Sequence, residues 1–168
     1  MTNLFAGVIF ISWYDINMST RGTTSDDRAL LGILADFRYQ LRLFLHFSEC
    51  AVIGAGLQPQ QHQLLLQIAG APEAVAVTIA YAAERLGLKH NSTVELVDRS
   101  EREGLLSRTA DDQDKRRAVL RITRKGRRIL ARLSDDHSRE LNVMAPRLVE
   151  ALQRVRAHAL SDAIVEAQ

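Results

Sequence analysis

A single cysteine, Cys50, stands in the 168 residues, and that scarcity excludes an internal disulfide and any multi-cysteine zinc module. A reducing compartment suits such a chain, and the cytoplasm is the default expectation. Little net charge is left over either: 22 Lys and Arg against 20 Asp and Glu give +2, too small by itself to imply a polyanionic partner. The 5 histidines are scattered without metal-ligand spacing. No glycine-rich phosphate loop, G-x-S-x-G elbow or paired nucleophile and base occurs, so the residues point to no enzyme, no cofactor and no metal. The apolar run LFAGVIFISWY, Leu4 to Tyr14, has no basic segment before it and is too short to span a bilayer.

What is present is 46% hydrophobic and 25% charged, enough for one or two domains with a real core. The charge is lopsided. From Lys115 to Arg132 there are nine basic residues and no acid, which marks a local anion-binding surface, and Asp111, Asp112 and Asp114 lie just before it. Residues 1–24 read as an apolar N-terminal extension whose Leu4, Phe5, Val8, Ile9, Phe10, Ile11, Trp13 and Tyr14 are expected to be buried against the helices or a second subunit.

From Ser25 the pattern is helical. Ser25 or Asp26 can cap a first helix in which Leu30, Ile33, Leu34, Phe37, Leu41, Phe44, Leu45 and Ser48 recur at spacings of three and four, up to the glycines of VIGAG. Pro59 opens a second helix, PQQHQLLLQIA, where a missing amide costs least, with Leu64, Leu65, Leu66 and Ile68 as core. Thr78 caps a short helix through Leu86, and Gly87 allows a turn. A further helix begins near Asn91 or Ser92, one of them acting as cap, carries Val94 and Val97, and closes at Gly104. Short helix, tight turn and second helix make a helix-turn-helix. Strands Leu105–Thr109 and Ala118–Ile122 around a charged tip add a wing. Thr123 caps a long helix through Ile129, Leu130, Leu133, His137, Leu141 and Met144, and Pro146 starts another segment. The expected fold is mainly α with a small β-hairpin wing.

LQPQQHQLLLQI, AERLGL and VELVDRSEREGLLSRTADDQDKRRAVLRITRKG, with the D-x-R of Asp114 and Arg116, resemble the MarR family of bacterial winged-helix transcription regulators. The resemblance implies a homodimer, with residues 25–56 and 127–168 as the helical dimerisation region and 57–126 as the winged helix-turn-helix. It also implies binding to a near-palindromic double-stranded DNA operator, most simply as a repressor released by a small aromatic or phenolic anion. Recognition helices would enter the major groove and wing arginines the flanking minor groove. Base readers are then sought among His90, Asn91, Ser92, Thr93 and Glu95, and phosphate contacts at Lys89 and Arg99. Arg108, Lys115, Arg116 and Arg117 belong to the wing, with Asp114 holding Arg116 extended. Two departures from the family pattern stand out. Ser100 replaces a usual leucine, which would forfeit roughly 2 to 4 kcal/mol of packing if nothing fills the space, and Tyr81 replaces a glutamate that would complete a capping box.

For the effector, Arg38, Arg42 and His46 lie at helical spacing on the first helix and, with His62 of the second, could receive a carboxylate. Cys50, among Phe47, Ala51 and Val52, reads as an inert buried thiol. Competing readings are a winged-helix protein-interaction module without DNA binding, a redox sensor using Cys50, and a nucleic-acid enzyme whose metal would need Asp111, Asp112 and Asp114. The arginines beside those aspartates argue against the last.

Overall fold

The structure, a computed structural model, describes residues 25–110 and 117–165. The apolar extension and the wing tip, with Asp111, Asp112, Asp114, Lys115 and Arg116, lie outside the described residues. The order is α1 (Ser25–Gly54), α2 (Pro59–Ala69), α3 (Ile79–Leu86), α4 (His90–Arg102), β1 (Leu106–Ala110), β2 (Ala118–Ile122) and α5 (Arg124–Val165). The two strands pair antiparallel with Arg108 opposite Leu120. Leu120 also donates its amide to the Val77 carbonyl at 2.8 Å, which ties the loop before α3 to the outer edge of the hairpin.

The core gathers where the short elements meet. Val52 of α1, Leu64 and Leu65 of α2, Ala82 of α3, Leu96 and Val97 of α4, Leu106 and Leu120 of the hairpin, and Leu130 and Leu133 of α5 close one buried cluster. Each large side chain enclosed there contributes about 1.5 to 3 kcal/mol of transfer free energy. α1 packs mainly along α5. Along that pair the apolar positions expected on one face of α1 divide: Leu30, Ile33, Phe37, Phe44 and Ser48 turn inward, while Leu34, Leu41 and Leu45 stay exposed beside Leu31 and Tyr39.

Several boundaries differ from the sequence-based expectation. β1 begins one residue later, at Leu106. α4 begins at His90, with Lys89 extended before it as a cap that supplies no side-chain hydrogen bond, so neither Asn91 nor Ser92 is the cap. Pro146 does not restart a helix. α5 runs through it, because a proline here removes only the one bond its amide would give to the Asn142 carbonyl and the turns on either side continue. Thr78 does cap α3, accepting from the Tyr81 amide at 3.2 Å, and Gly87 turns the chain at φ 63°. Thr123 caps α5, accepting from the Gly126 amide at 3.1 Å and donating to the Gly104 carbonyl at 2.7 Å. Gly126 is forced by crowding: a Cβ there would collide with the Leu105 carbonyl oxygen.

Candidate nucleic-acid interface

α4 divides cleanly between two faces. Leu96, Val97, Thr93 and Ser100 are buried, whereas His90, Asn91, Ser92, Glu95, Arg99 and Arg102 are exposed. From Ser92 the exposed set repeats every three or four residues through Glu95, Arg99 and Arg102, and with His90 and Asn91 of the first turn it offers imidazole, amide, hydroxyl, carboxylate and guanidinium groups. Such a mixture of donors and acceptors is what reading base edges requires. The first-turn amides carry no side-chain cap, so the partly positive end of the helix stays open to an anion beside Lys89.

Thr93 leaves the expected reading set. It is 0% exposed and its hydroxyl donates to the Lys89 carbonyl at 3.1 Å, so it holds the first turn of α4 and cannot reach outward. Ser100 is likewise fully enclosed and donates to the Leu96 carbonyl at 2.8 Å, so the small polar residue is satisfied within its own helix.

Arg108, expected at the DNA surface, is engaged within the fold. Its guanidinium reaches Asp98 and Glu101 of α4 at 2.5 Å each, and its amide donates to the other Glu101 oxygen at 2.8 Å. Two carboxylates engage the fork, so Arg108 fastens the wing to α4. The sequence carried a signal for this: Asp98 and Glu101 stand one helical turn apart, and Arg108 follows a short reversal at Gly104. The same joint is pinned from below. Gln61, 1% exposed, accepts from the Gln58 amide and donates to Glu103 at 2.9 Å, and Lys125 donates to the Glu103 carbonyl at 2.7 Å. Across the hairpin, Arg121 donates to the Thr109 hydroxyl at 3.3 Å. Arg117 is exposed just before β2, on the same end of the hairpin.

The expected effector residues are not brought together. Arg38, Arg42 and His46 form an exposed row on α1, but His62 is 2% exposed, and burial first and His137 second push it down from 6.5 to about 4. It is uncharged at neutral pH and adds no cation to a carboxylate site. A hollow of about 340 Å³ between α1 and α5, lined by Phe47, Ala51, Asp136, Arg139, Glu140 and Val143, includes none of the four. Cys50 is exposed, not buried, with its sulfur 3.8 Å from His46 Nε2, because it falls on the outward row of α1.

Residues 55–117 match the MarR family model. No curated protein matches the chain. Among solved structures, the chain is similar to a MarR family protein from Bacillus stearothermophilus at 22% identity and TM-score 0.62, covering 84% of this chain and 96% of that one. An S. aureus MepR–DNA complex aligns at 18% identity and TM-score 0.55 over 79% and 97% of the two chains. CouR from Rhodococcus jostii, bound to p-coumaroyl-CoA, aligns at 25% identity and TM-score 0.52 over 73% and 81%.

Proposed function

Starting from a MarR-family winged helix at residues 55–117, we propose that this protein is a homodimeric, sequence-specific DNA-binding transcriptional regulator that acts as a repressor and is released by a small organic anion. The observation that carries the reading is the exposed polar face of α4, held rigid by Arg108 against Asp98 and Glu101. His90, Asn91, Ser92 and Glu95, near the helix start, read base edges. Lys89, Arg99 and Arg102 meet phosphates, and Arg117 and the tip residues Lys115 and Arg116 extend the interface beyond the major groove. The MepR–DNA complex supports this use of the fold, and the ligand-bound CouR supports effector control.

The dimer follows from uncovered apolar surface. Leu31, Leu34, Leu41, Leu45 and Ile53 of α1 and Leu141, Val143, Val149 and Leu152 of α5 are all at least a third exposed in one chain. A patch on that scale calls for a second copy across a two-fold axis. A gel-shift series against the DNA upstream of the protein's own gene, run across salt, tests the function. Retention that is sequence-selective and falls steeply with salt is expected, whereas no retention on specific or random duplex at low salt would leave a protein-interaction role in its place. Sedimentation at micromolar concentration tests the assembly, and a monomer there rules the dimer out.

A further inference from the structure

Five polar side chains are buried among the described residues: Ser48, Gln61, His62, Thr93 and Ser100. Four of them have hydrogen-bond partners. His62 has none: both ring nitrogens lack a partner although the residue is 2% exposed. A buried polar group left so is costly and is commonly tied to function.

Its place in the fold gives the reason. His62 lies on α2, in the winged-helix half, and stacks on His137 of α5 with ring centroids 4.9 Å apart and planes 30° from parallel. His137 Nδ1–H donates to the Leu133 carbonyl at 2.5 Å, and its Nε2 meets the Ser48 hydroxyl of α1 at 2.7 Å. The rings of Phe44 and Phe47 meet His137 edge-on. Three helices from both halves of the molecule thus converge on one imidazole pair.

The two rings are partnered unequally. His137 has an oxygen beside each nitrogen. A charged His62 would instead hold two N–H donors without acceptors inside a closed site, against a second imidazole. The neighbouring charges do not relieve it. On α5, Asp136 pairs with Arg139 at 3.6 Å; on α1, Glu49 is exposed; Glu103, just after α4, and Arg85 of α3 are engaged by Gln61 and Gln67 of α2; and β2 packs on α2 through a strand whose only charge, Arg121, is exposed.

We propose that the stacked His62–His137 pair is an acid-released latch that joins α2 to α1 and α5, and that protonating His62 requires α2 to lift away. Opening restores the ring to water and to its ordinary 6.5, while the closed site holds it near 4. Acid therefore favours the open form well above pH 4: by linkage the opening constant rises about 10-fold between pH 7.5 and 5.5. Looser seating of α2 would loosen the placing of α4 relative to the two-fold axis. That last consequence rests on the DNA-binding reading, but the latch does not.

Hydrogen exchange of the free protein, without DNA, tests it. After correction for intrinsic exchange rates, amides of Leu64 to Ile68 should lose about 10-fold protection on going from pH 7.5 to 5.5 in the parent. In His62→Phe, which keeps a flat ring and removes the titration, protection should change less than about twofold, within the error of such corrections. His62→Asn serves as a second non-titrating variant, and circular dichroism at pH 7.5 selects whichever is folded. Equal protection at both pH values in the parent overturns the latch, as does a loss that persists in a folded variant. Failure to bind any duplex would instead strike the function reading and leave this result standing.

Discussion

The winged helix and the α1–α5 limb are made from similar proportions of leucine and valine, yet they bury them differently. In the winged helix, Leu64, Leu65, Leu96, Val97, Leu106 and Leu120 are each no more than 1% exposed, because short elements approach from several directions and close around them. In the limb, two long helices cover one stripe on each other and leave another open: Val143 is 74% exposed, Ile53 63% and Leu31 60%. Helix length makes the difference, since a pair of rods has too little mutual surface to hide both faces. One region can hold its shape alone, and the other leaves an apolar face that the proposed second copy would cover.

The largest effect should come from breaking the self-sufficient side. Leu96→Ala deletes a side chain at 1% exposure and should cost about 2 to 5 kcal/mol, read as a lower urea midpoint at any protein concentration. Leu45→Ala on the limb, at 46% exposure, should act differently, lowering the midpoint in a way that depends on concentration because the loss falls on association. Equal, concentration-independent losses at the two sites would erase the comparison.

Acid should act at the seam between the two regions. His62 stays uncharged when folded and takes up a proton near 6.5 when unfolded, so its contribution is fully present above that pH. It falls as pH drops toward about 4 and levels off below, a total of about 3 kcal/mol over the window. Urea midpoints collected between pH 7.5 and 4 should slope downward in the parent and much less in His62→Phe. Parallel slopes would move the acid sensitivity elsewhere in the molecule.

Most of the winged helix was legible in the sequence. Thr78, Gly87, Gly104 and Thr123 are local signals whose meaning depends on two or three neighbours, and they sit where their chemistry places them. Cap-type residues misled at the start of α4, where Asn91 and Ser92 suit a cap but the cap is Lys89, two or three residues earlier, to which the buried Thr93 bonds back. The limb was less legible. Periodicity gathers Leu34, Leu41 and Leu45 with Phe37 and Phe44 on one broad stripe, and only the position of α5 decides which of them it covers. Cys50 was misjudged for the same reason. The exposed row on α4 could be guessed from helix phase, whereas the clamp under the wing left only the one-turn spacing of Asp98 and Glu101 as a signal, because how β1 meets α4 decides it.

Arg99→Ala probes the surface that the winged helix presents without touching its core. Arg99 is exposed on α4, so fold and dimer should persist while operator affinity falls by roughly 1 to 3 kcal/mol. With one fewer phosphate neutralised, the salt slope should also fall by about 1. Binding unchanged across the salt series would remove Arg99 from the interface.

Arg108→Ala is the smallest expected effect and the sharpest discriminator, because the same residue has two possible jobs with opposite salt signatures. Its guanidinium is 26% exposed and engaged by Asp98 and Glu101, which are themselves 49% and 35% exposed, so solvent screens the pairs and the stability loss should be only about 1 kcal/mol. Operator affinity should still fall, since β1 would no longer be fastened to α4 and the wing would sample more positions. A residue that acts by positioning releases no counterions of its own, so the salt slope should match that of the parent. Arg108→Lys separates charge from geometry: a lysine keeps the charge but cannot fork across two carboxylates, so it should behave like the alanine variant. A salt slope reduced by about 1 in Arg108→Ala and restored in Arg108→Lys would instead return Arg108 to the DNA surface.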